Sequence, residues 1–440
     1  MKLSFKPGDH VSFSYKGNEV EGTILNEEHG RLVVKLSSGY NISVTPADLK
    51  DAKKTDGKEK AAKKPVTNIS VDEREEKHGR SDLPKIAILH TGGTIASRVD
   101  YETGAVVAKF TAEEILALVP ELEELARVSS VLVRNMQSDD MRFAHWNLIA
   151  EAVAKAVEKG VAGVIVTHGT DTLHYTAAAL GFMLENLPVP VVLVGSQRSS
   201  DRGSSDGPSN LVAATRFILA AKERPGVYTC LHGSMSDDAF FVIDGFHSRK
   251  LHSTRRDAFR PVNAAATATV KNNAVVFHAK PKLAPSKKLV VKPFKSDVNV
   301  SMVFFHPNFF AKDLEHFTEH DGLVIMATGL GHLPITRVDD ECDEHPKILA
   351  AVEKLAKKMP VAITTQTIYG RVNLDVYSPG RALQATGVLG QGLDMMPETA
   401  FVKLAWLLSN YDEKQVRELY GRNLRGELSE RSEEDGFVPE

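Results

Sequence analysis

Repeated apolar runs that stop at small polar residues constrain this chain most. "PKIAILHTGG" (84–93), "VAGVIVTHGTD" (161–171), "VPVVLVGSQR" (189–198) and "GVYTCLHGS" (226–234) each close on Gly, Thr, Ser, Arg, Asp or His after an apolar stretch. Helical patterns lie between them: "TAEEILALVPELEELA", "WNLIAEAVAKAVEKG", "TLHYTAAALGFMLEN" and "SNLVAATRFILAAKE". Apolar strands separated by helices are predicted to join by right-handed crossovers. The result is a parallel sheet with helices on both faces, because a strand without polar alternation needs burial on both sides. Residues 83–300 therefore read as a larger α/β domain.

The flanking segments have a different texture. Near 260–300 the alternation breaks, and "TATVKNNAVVFHAK" is predicted to be an antiparallel hairpin turning at "NN". A smaller C-terminal α/β domain is expected over 301–440. It holds strand "GLVIMATGLGH", helix "KILAAVEKLAKKM", strand "VAITTQT" and an amphipathic helix "MPETAFVKLAWLLSN". Residues 1–49 show period-2 alternation in short runs such as "HVSFSYKG" and "RLVVKLSSGYNISV", which predicts a small β-barrel of four or five strands. Residues 50–82 are densely charged and free of aromatics, a flexible solvated linker. Its interleaved acids count against a basic RNA-binding tail.

The totals exclude several classes. A chain of 440 residues fits two or three domains. A net charge of −3 argues against a general nucleic-acid-binding surface. Cys230 and Cys342 stand far apart with no CxxC, so neither structural zinc nor a disulfide framework is expected, and a reducing cytoplasm fits. The start "MKLSFKPGDH" has no apolar signal core, and no apolar run approaches the roughly 20 residues that span a bilayer. The expectation is a cytoplasmic chain with no membrane contact.

Ligands of open parallel sheets bind at the carboxyl ends of strands. That points to "TGGT" (91–94), "HGTDT" (168–172), and "GSQR" with the following "SSDGPSNL", together with Lys250 of "DGFHSRK". These residue types suit attack on a carbonyl. A threonine hydroxyl is a weak nucleophile and needs a neighbouring base or cation. A lysine with a carboxylate to orient it supplies one, and backbone N–H groups in glycine-rich turns supply an oxyanion hole. Each motif also has a plainer reading. "TGGT" can be a tight turn, Thr170 or Asp171 can cap the helix beginning at Thr172, Lys250 can be a surface lysine, and His168 reads as structural. No GxGxxG or GxxxxGK[ST] phosphate loop is present.

"TGGTIAS" and "THGTDTLHYTA" in this order, with "QSDDM", "SSDGPSNL", "TTQTIYGRVN" and "PETAFVKLAW", resemble the L-asparaginase/amidohydrolase family from about Lys85 to about Asn410. The resemblance implies an asparaginase-like two-domain parallel-sheet body. By motif position, Thr94 matches the primary nucleophile and Tyr101 a tyrosine on a mobile lid that assists it. Thr170, Asp171 and Lys250 match a Thr–Lys–Asp activating set, and Ser138 and Asp139 match the segment holding the substrate α-carboxylate and α-amino groups. Asp139 stands where many relatives carry a neutral residue, which adds a negative charge beside the substrate.

Plain asparaginases lack the barrel and linker, and the whole chain is similar to the D-subunit family of archaeal glutamyl-tRNA(Gln) amidotransferases. That likeness implies a glutaminase/asparaginase component that supplies ammonia for transamidation of Glu-tRNA(Gln). It implies no cofactor in this chain, with ATP and Mg used by the partner, the amidotransferase E-subunit (GatE). It also implies a homodimer through the asparaginase-like body, an α2β2 complex, and misacylated tRNA bound mainly by the partner. A free-standing cytoplasmic asparaginase and a non-catalytic amino-acid-binding protein are the alternatives.

Overall fold

The computed structural model describes residues 5–6, 8–15, 18–28, 31–36, 41–45, 48–49, 51–55, 77–78, 82–93, 97–99, 106–108, 119–198, 204–281 and 285–432. Most of the expected linker falls outside these residues, as do Thr94 and Tyr101.

The N-terminal strands are β1 (His10–Tyr15), β2 (Asn18–Glu28), β3 (Arg31–Leu36), β4 (Asn41–Val44) and β5 (Lys53–Lys54). They pair antiparallel in the order β4-β3-β2-β1-β5. The inward positions Val11, Phe13, Ile24, Leu32, Val34 and Val44 form their own apolar cluster with Leu49. The expected barrel differs here: among the described residues no pairing joins β4 to β5, so the described strands form an open sheet. Closure needs an unbroken ring of strand pairs, and the outer strand β5 is only two residues long.

The larger unit is built on a nine-stranded sheet. Its centre is parallel: β7 (Lys85–Gly92), β10 (Arg127–Met136), β11 (Gly163–Thr167), β13 (Pro190–Val194) and β14 (Gly226–His232). Its flanks are antiparallel: β6 (Lys77–His78) on one side, and β15 (Ala239–Asp244), β18 (Ala268–Lys271) and β19 (Ala274–Phe277) on the other. The sheet is thus mixed, where the sequence predicts a parallel one. The reversal has a simple cause: the loop 233–238 between β14 and β15 is too short for a crossover, which takes a dozen residues or more. The "NN" hairpin forms as expected. Asn272 and Asn273 both take positive φ (49° and 66°), the backbone of a tight two-residue hairpin turn.

Alternate residues of each central strand face opposite cores. Ala87, Leu89, Val164, Val166, Val191 and Leu193 pack with α2 (Phe143–Glu158) and α3 (Leu173–Met183). Ile86, Ile88, Ile165, Val192 and Val194 pack with α4 (Gly207–Ala220) and the short α1 (Glu121–Leu125). Three small antiparallel pairs complete the unit. They are β8 (Ser97–Val99) with β9 (Val106–Ala108), β12 (Leu184–Glu185) with β20 (Val290–Val291), and β16 (Ser248–Lys250) with β17 (Phe259–Pro261).

In the C-terminal unit β21 (Val300–Phe304), β22 (Gly322–Ala327) and β23 (Val361–Thr365) run parallel. The helices α5 (Ala311–Glu315), α6 (His345–Lys358), α7 (Ser378–Ala385), α8 (Pro397–Asn410) and α9 (Glu413–Tyr420) accompany them. The expected amphipathic helix is α8, and it is buried nearly all round, including Glu398 and Lys403. It lies between the two units: Trp406 stacks on Phe182 of α3 with ring centroids 5.4 Å apart. Among the described residues no helix is long and apolar enough to cross a membrane.

Candidate active site

The five parallel strands stand side by side as β10-β7-β11-β13-β14. Numbered along the chain this order is 2-1-3-4-5, so the winding reverses between β7 and β11. Loops diverge at such a switch point and leave a crevice at the strands' carboxyl ends. The turn at Thr91–Gly93 and the "HGTDT" turn sit there.

The glycines of the first turn permit a close approach. Gly92 and Gly93 take φ of 98° and 77°. A Cβ on Gly92 would lie 2.5 Å from the Met136 backbone nitrogen, and one on Gly93 would lie 2.4 Å from Gly169 Cα. The Gly93 N–H donates to the Met136 carbonyl (3.0 Å), and the Thr91 hydroxyl donates to the Thr167 carbonyl (2.8 Å). The ends of β7, β10 and β11 are thereby drawn into contact, a packing role beyond a simple turn.

The second turn brings three of the expected residues together. Lys250 Nζ donates to Thr170 Oγ1 at 2.9 Å and to Asp171 Oδ1 at 2.7 Å. The Lys250 side chain is only 10% exposed, so the surface-lysine reading fails. The helix-cap reading fails as well: α3 has Thr172 at its N-cap position with no side-chain cap bond, while Thr170 and Asp171 accept from Lys250. Ser138 is buried in the same crevice; its carbonyl accepts from the Thr172 hydroxyl at 2.7 Å, and its Oγ would be 2.8 Å from a Cβ on Gly169. Asp139 lies next along the chain and is exposed. Thr170 rests against Gly195 at the end of β13, where a Cβ would stand 2.7 Å from its methyl.

Two other motifs turn out to be supports. His168 is fully buried; its Nδ1 lies 2.7 Å from the Gly169 carbonyl and its Nε2 2.9 Å from the Thr176 hydroxyl, which in turn accepts from Trp146 Nε1 at 2.9 Å. This pattern fixes the tautomer with hydrogen on Nδ1, donating to the carbonyl, and holds the turn that carries Thr170. In "SSDGPSNL", the fully buried Asp206 carboxylate accepts from the Ser196 hydroxyl and from the Gln197 and Arg198 backbone N–H groups. It braces the "GSQR" turn behind Thr170.

Burial pushes His168 down to about 4, so it is neutral at neutral pH. The unfolded chain binds this proton near pH 6.5. Between those values the unfolded state holds more protons, so this group lowers stability as pH falls from 6.5 toward 4 and has no pH effect above that window. The expected loss is roughly 3 kcal/mol. Thermal melts from pH 7 to pH 4 should show a shallower slope in His168→Gln than in the unmutated chain; parallel slopes would refute the assignment.

Sequence reasoning missed Arg249 and Glu398. Arg249 Nε and Nη2 donate to Glu398 Oε1 at 2.9 and 2.7 Å, joining β16 to α8. Burial alone would raise the Glu398 carboxyl, but His174, with Nε2 3.8 Å from Oε1, and the hydrogen-bonded Arg249 outweigh it and hold the carboxyl down at about 2.

A threonine, lysine and carboxylate converge on a glycine-lined crevice at the switch point of a mixed α/β sheet, which defines an asparaginase-like amidohydrolase. Residues 85–283 match the family model "Asparaginase, N-terminal", and residues 299–420 match "Glutaminase/Asparaginase C-terminal domain". Solved structures agree. The thermostable L-asparaginase from Thermococcus kodakarensis superposes with a TM-score of 0.70 at 32% identity, covering 79% of this chain and 100% of that one. L-asparaginase I from Vibrio cholerae gives 0.67 at 29%, covering 79% and 99%. Residues 5–52 match the model "GatD N-terminal domain". The chain belongs to the D-subunit family of glutamyl-tRNA(Gln) amidotransferases. It is 38% identical to the D-subunit from Methanococcus maripaludis over 96% of this chain and 98% of the relative, and 40% identical to the one from Pyrococcus furiosus over 96% and 93%.

Proposed function

We propose that this chain is the ammonia-supplying amidohydrolase of a glutamyl-tRNA(Gln) amidotransferase. The observation that carries the chemistry is the pair of bonds from Lys250 to Thr170 and Asp171. Thr94 Oγ1 attacks the side-chain amide carbon of glutamine or asparagine, with Tyr101 assisting. Its proton passes toward the Lys250 amine with Thr170 as relay, and Asp171 orients that amine and stabilises the resulting ammonium. Backbone N–H groups of the glycine-rich turns stabilise the oxyanion. Collapse of the tetrahedral intermediate breaks the C–N bond, and the nitrogen leaves as ammonia after taking a proton. Water then hydrolyses the Thr94 ester to the free acid. Ser138, Asp139 and Asp171 hold the substrate α-carboxylate and α-amino groups.

Ammonia passes to the E-subunit, GatE, which uses ATP and Mg to activate the glutamate on misacylated tRNA; this chain needs no cofactor of its own. The complex is α2β2, built on a homodimer through the asparaginase-like body, and works in the cytoplasm with the tRNA held mainly by the partner. The chain divides into an N-terminal module of antiparallel strands (1–49), a linker (50–82), the larger catalytic domain (83–300) and the smaller domain (301–440).

Such a protein should release ammonia slowly alone, because unused ammonia wastes the donor. If partner and tRNA favour a closed lid by about 1–3 kcal/mol, turnover rises roughly 5- to 150-fold. The test measures ammonia release from glutamine and from asparagine by the chain alone, with GatE, and with GatE plus charged tRNA. Equal rates in all three would favour a free-standing asparaginase instead.

A further inference from the structure

We infer that Arg249 and Glu398 are positioning residues for Lys250: their ion pair fastens the strand that carries the lysine to α8 of the C-terminal unit. The inference rests on the proposed role of Lys250.

β16 is three residues long and stands outside the main sheet, paired among the described residues only with β17. Its side chains alternate between faces. Ser248 and Lys250 point one way. Ser248 Oγ meets Thr229 Oγ1 of β14 at 2.7 Å, and Lys250 reaches Thr170 and Asp171. Arg249 points the other way, onto Glu398 in the first turn of α8. Residues 251–255, directly after the lysine, are exposed. Arg249 is therefore fastened to α8 one residue before the group whose aim matters, and a solvent-facing segment begins directly after that group.

The first turn of α8 grips this segment twice. Thr399 Oγ1 donates to the Phe246 carbonyl at 2.9 Å, and Glu398 takes the Arg249 fork. Both α8 residues are buried. Such a pair is a poor source of stability, because desolvation offsets attraction, and Glu398 Oε2 finds no hydrogen-bond partner among the described residues. What the pair supplies is direction. Two donors on one planar guanidinium meet one carboxylate oxygen, a geometry that lysine cannot reproduce. It fixes where β16 lies against the N-terminus of α3, where Thr170 and Asp171 wait. The C-terminal unit thus sets the aim of a lysine in the larger unit without touching substrate.

A displacement near 1 Å in such a set costs up to about 100-fold. In the full chain assembled with its partner, Arg249→Met and Glu398→Gln should each lower kcat for glutamine and asparagine about 10- to 50-fold. KM should stay within about twofold, since neither residue meets the substrate. Arg249→Lys should recover part of the loss. Arg249→Met combined with Lys250→Met should be no slower than Lys250→Met alone. A merely structural role would lower the melting temperature while leaving turnover per folded molecule unchanged. Unmutated kcat in folded Arg249→Met, or losses that multiply in the Lys250→Met background, would overturn the inference. If Arg249→Met does not fold, Glu398→Gln and Arg249→Lys give the same readout. Full turnover in Lys250→Met would instead defeat the role of Lys250 itself, so the two failures are distinguishable.

Discussion

Thr94→Val is expected to leave the chain folded and without measurable ammonia release, and Thr170→Val, Asp171→Asn and Lys250→Met should each lose about 10²-fold or more in turnover. The three latter residues are linked by direct bonds: Lys250 Nζ bridges Thr170 Oγ1 and Asp171 Oδ1. Thr170→Val removes the hydroxyl without changing the packing of its methyl against Gly195. Asp171→Asn keeps the shape and removes the charge that orients the amine. Lys250→Met keeps the stem and removes the amine. Because the Asp171 side chain is 64% exposed, its pairing with lysine adds little to stability, so the losses should appear in kcat and not in the melting curve. Members of one catalytic unit do not add, so Thr170→Val with Lys250→Met should be little worse than the poorer single variant. Steady-state ammonia release on folded variants decides this. Near-normal activity in Thr94→Val would remove the nucleophile, and cleanly multiplying losses would show that the other three do not act together.

Those residues were legible because their chemistry is local. "HGTDT" places Thr170 and Asp171 side by side at a strand end, and apolar periodicity places the strand. Their meeting with Lys250 spans 80 residues and came from family resemblance, not from spacing. Arg249 shows the limit more clearly. Within "SRK" Arg249 has no periodic or motif signal of its own, and its partner Glu398 lies 149 residues on, inside a helix whose pattern reads as amphipathic. That helix is buried on its polar side too, because ion-pair partners from elsewhere in the fold meet Glu398 and Lys403, and a helical wheel cannot display partners. The antiparallel turn at β15 was hidden for a related reason. An apolar run such as "FFVID" fits a buried strand in either direction, and only the short loop before it decides the sense of pairing.

Lys403→Met should destabilise the protein by about 3–5 kcal/mol at neutral pH, the cost of leaving one member of a buried ion pair alone. Lys403 and Glu427 side chains are both 0% exposed, with Nζ 2.6 Å from Oε1. Burial lowers the lysine's proton affinity, and Glu427 restores part of it. Lys403 Nζ also donates to the Arg422 carbonyl at 2.6 Å, while the Glu427 oxygens accept from the Leu424 N–H (3.0 Å) and the Arg425 N–H (2.7 Å). The pair therefore pins the C-terminal segment beneath α8. Removing the ammonium leaves a buried carboxylate with backbone donors and no counter-charge. Glu427→Gln leaves a buried ammonium with the Arg422 carbonyl and the Tyr420 ring, 5.7 Å away, and should cost a similar amount. Lys403→Met with Glu427→Leu removes both charges, yet it strands the Leu424 and Arg425 N–H groups, so it should recover only part of the loss. Thermal and urea unfolding measure the loss, and limited proteolysis locates it: beyond cuts in the 50–82 linker shared with the unmutated chain, the segment after Tyr420 should be cut before the catalytic body. The substitutions lie away from Thr170 and Lys250, so turnover per folded molecule should persist. A Lys403→Met protein that melts within about a degree of the unmutated chain would show that α8 is held by its apolar contacts alone.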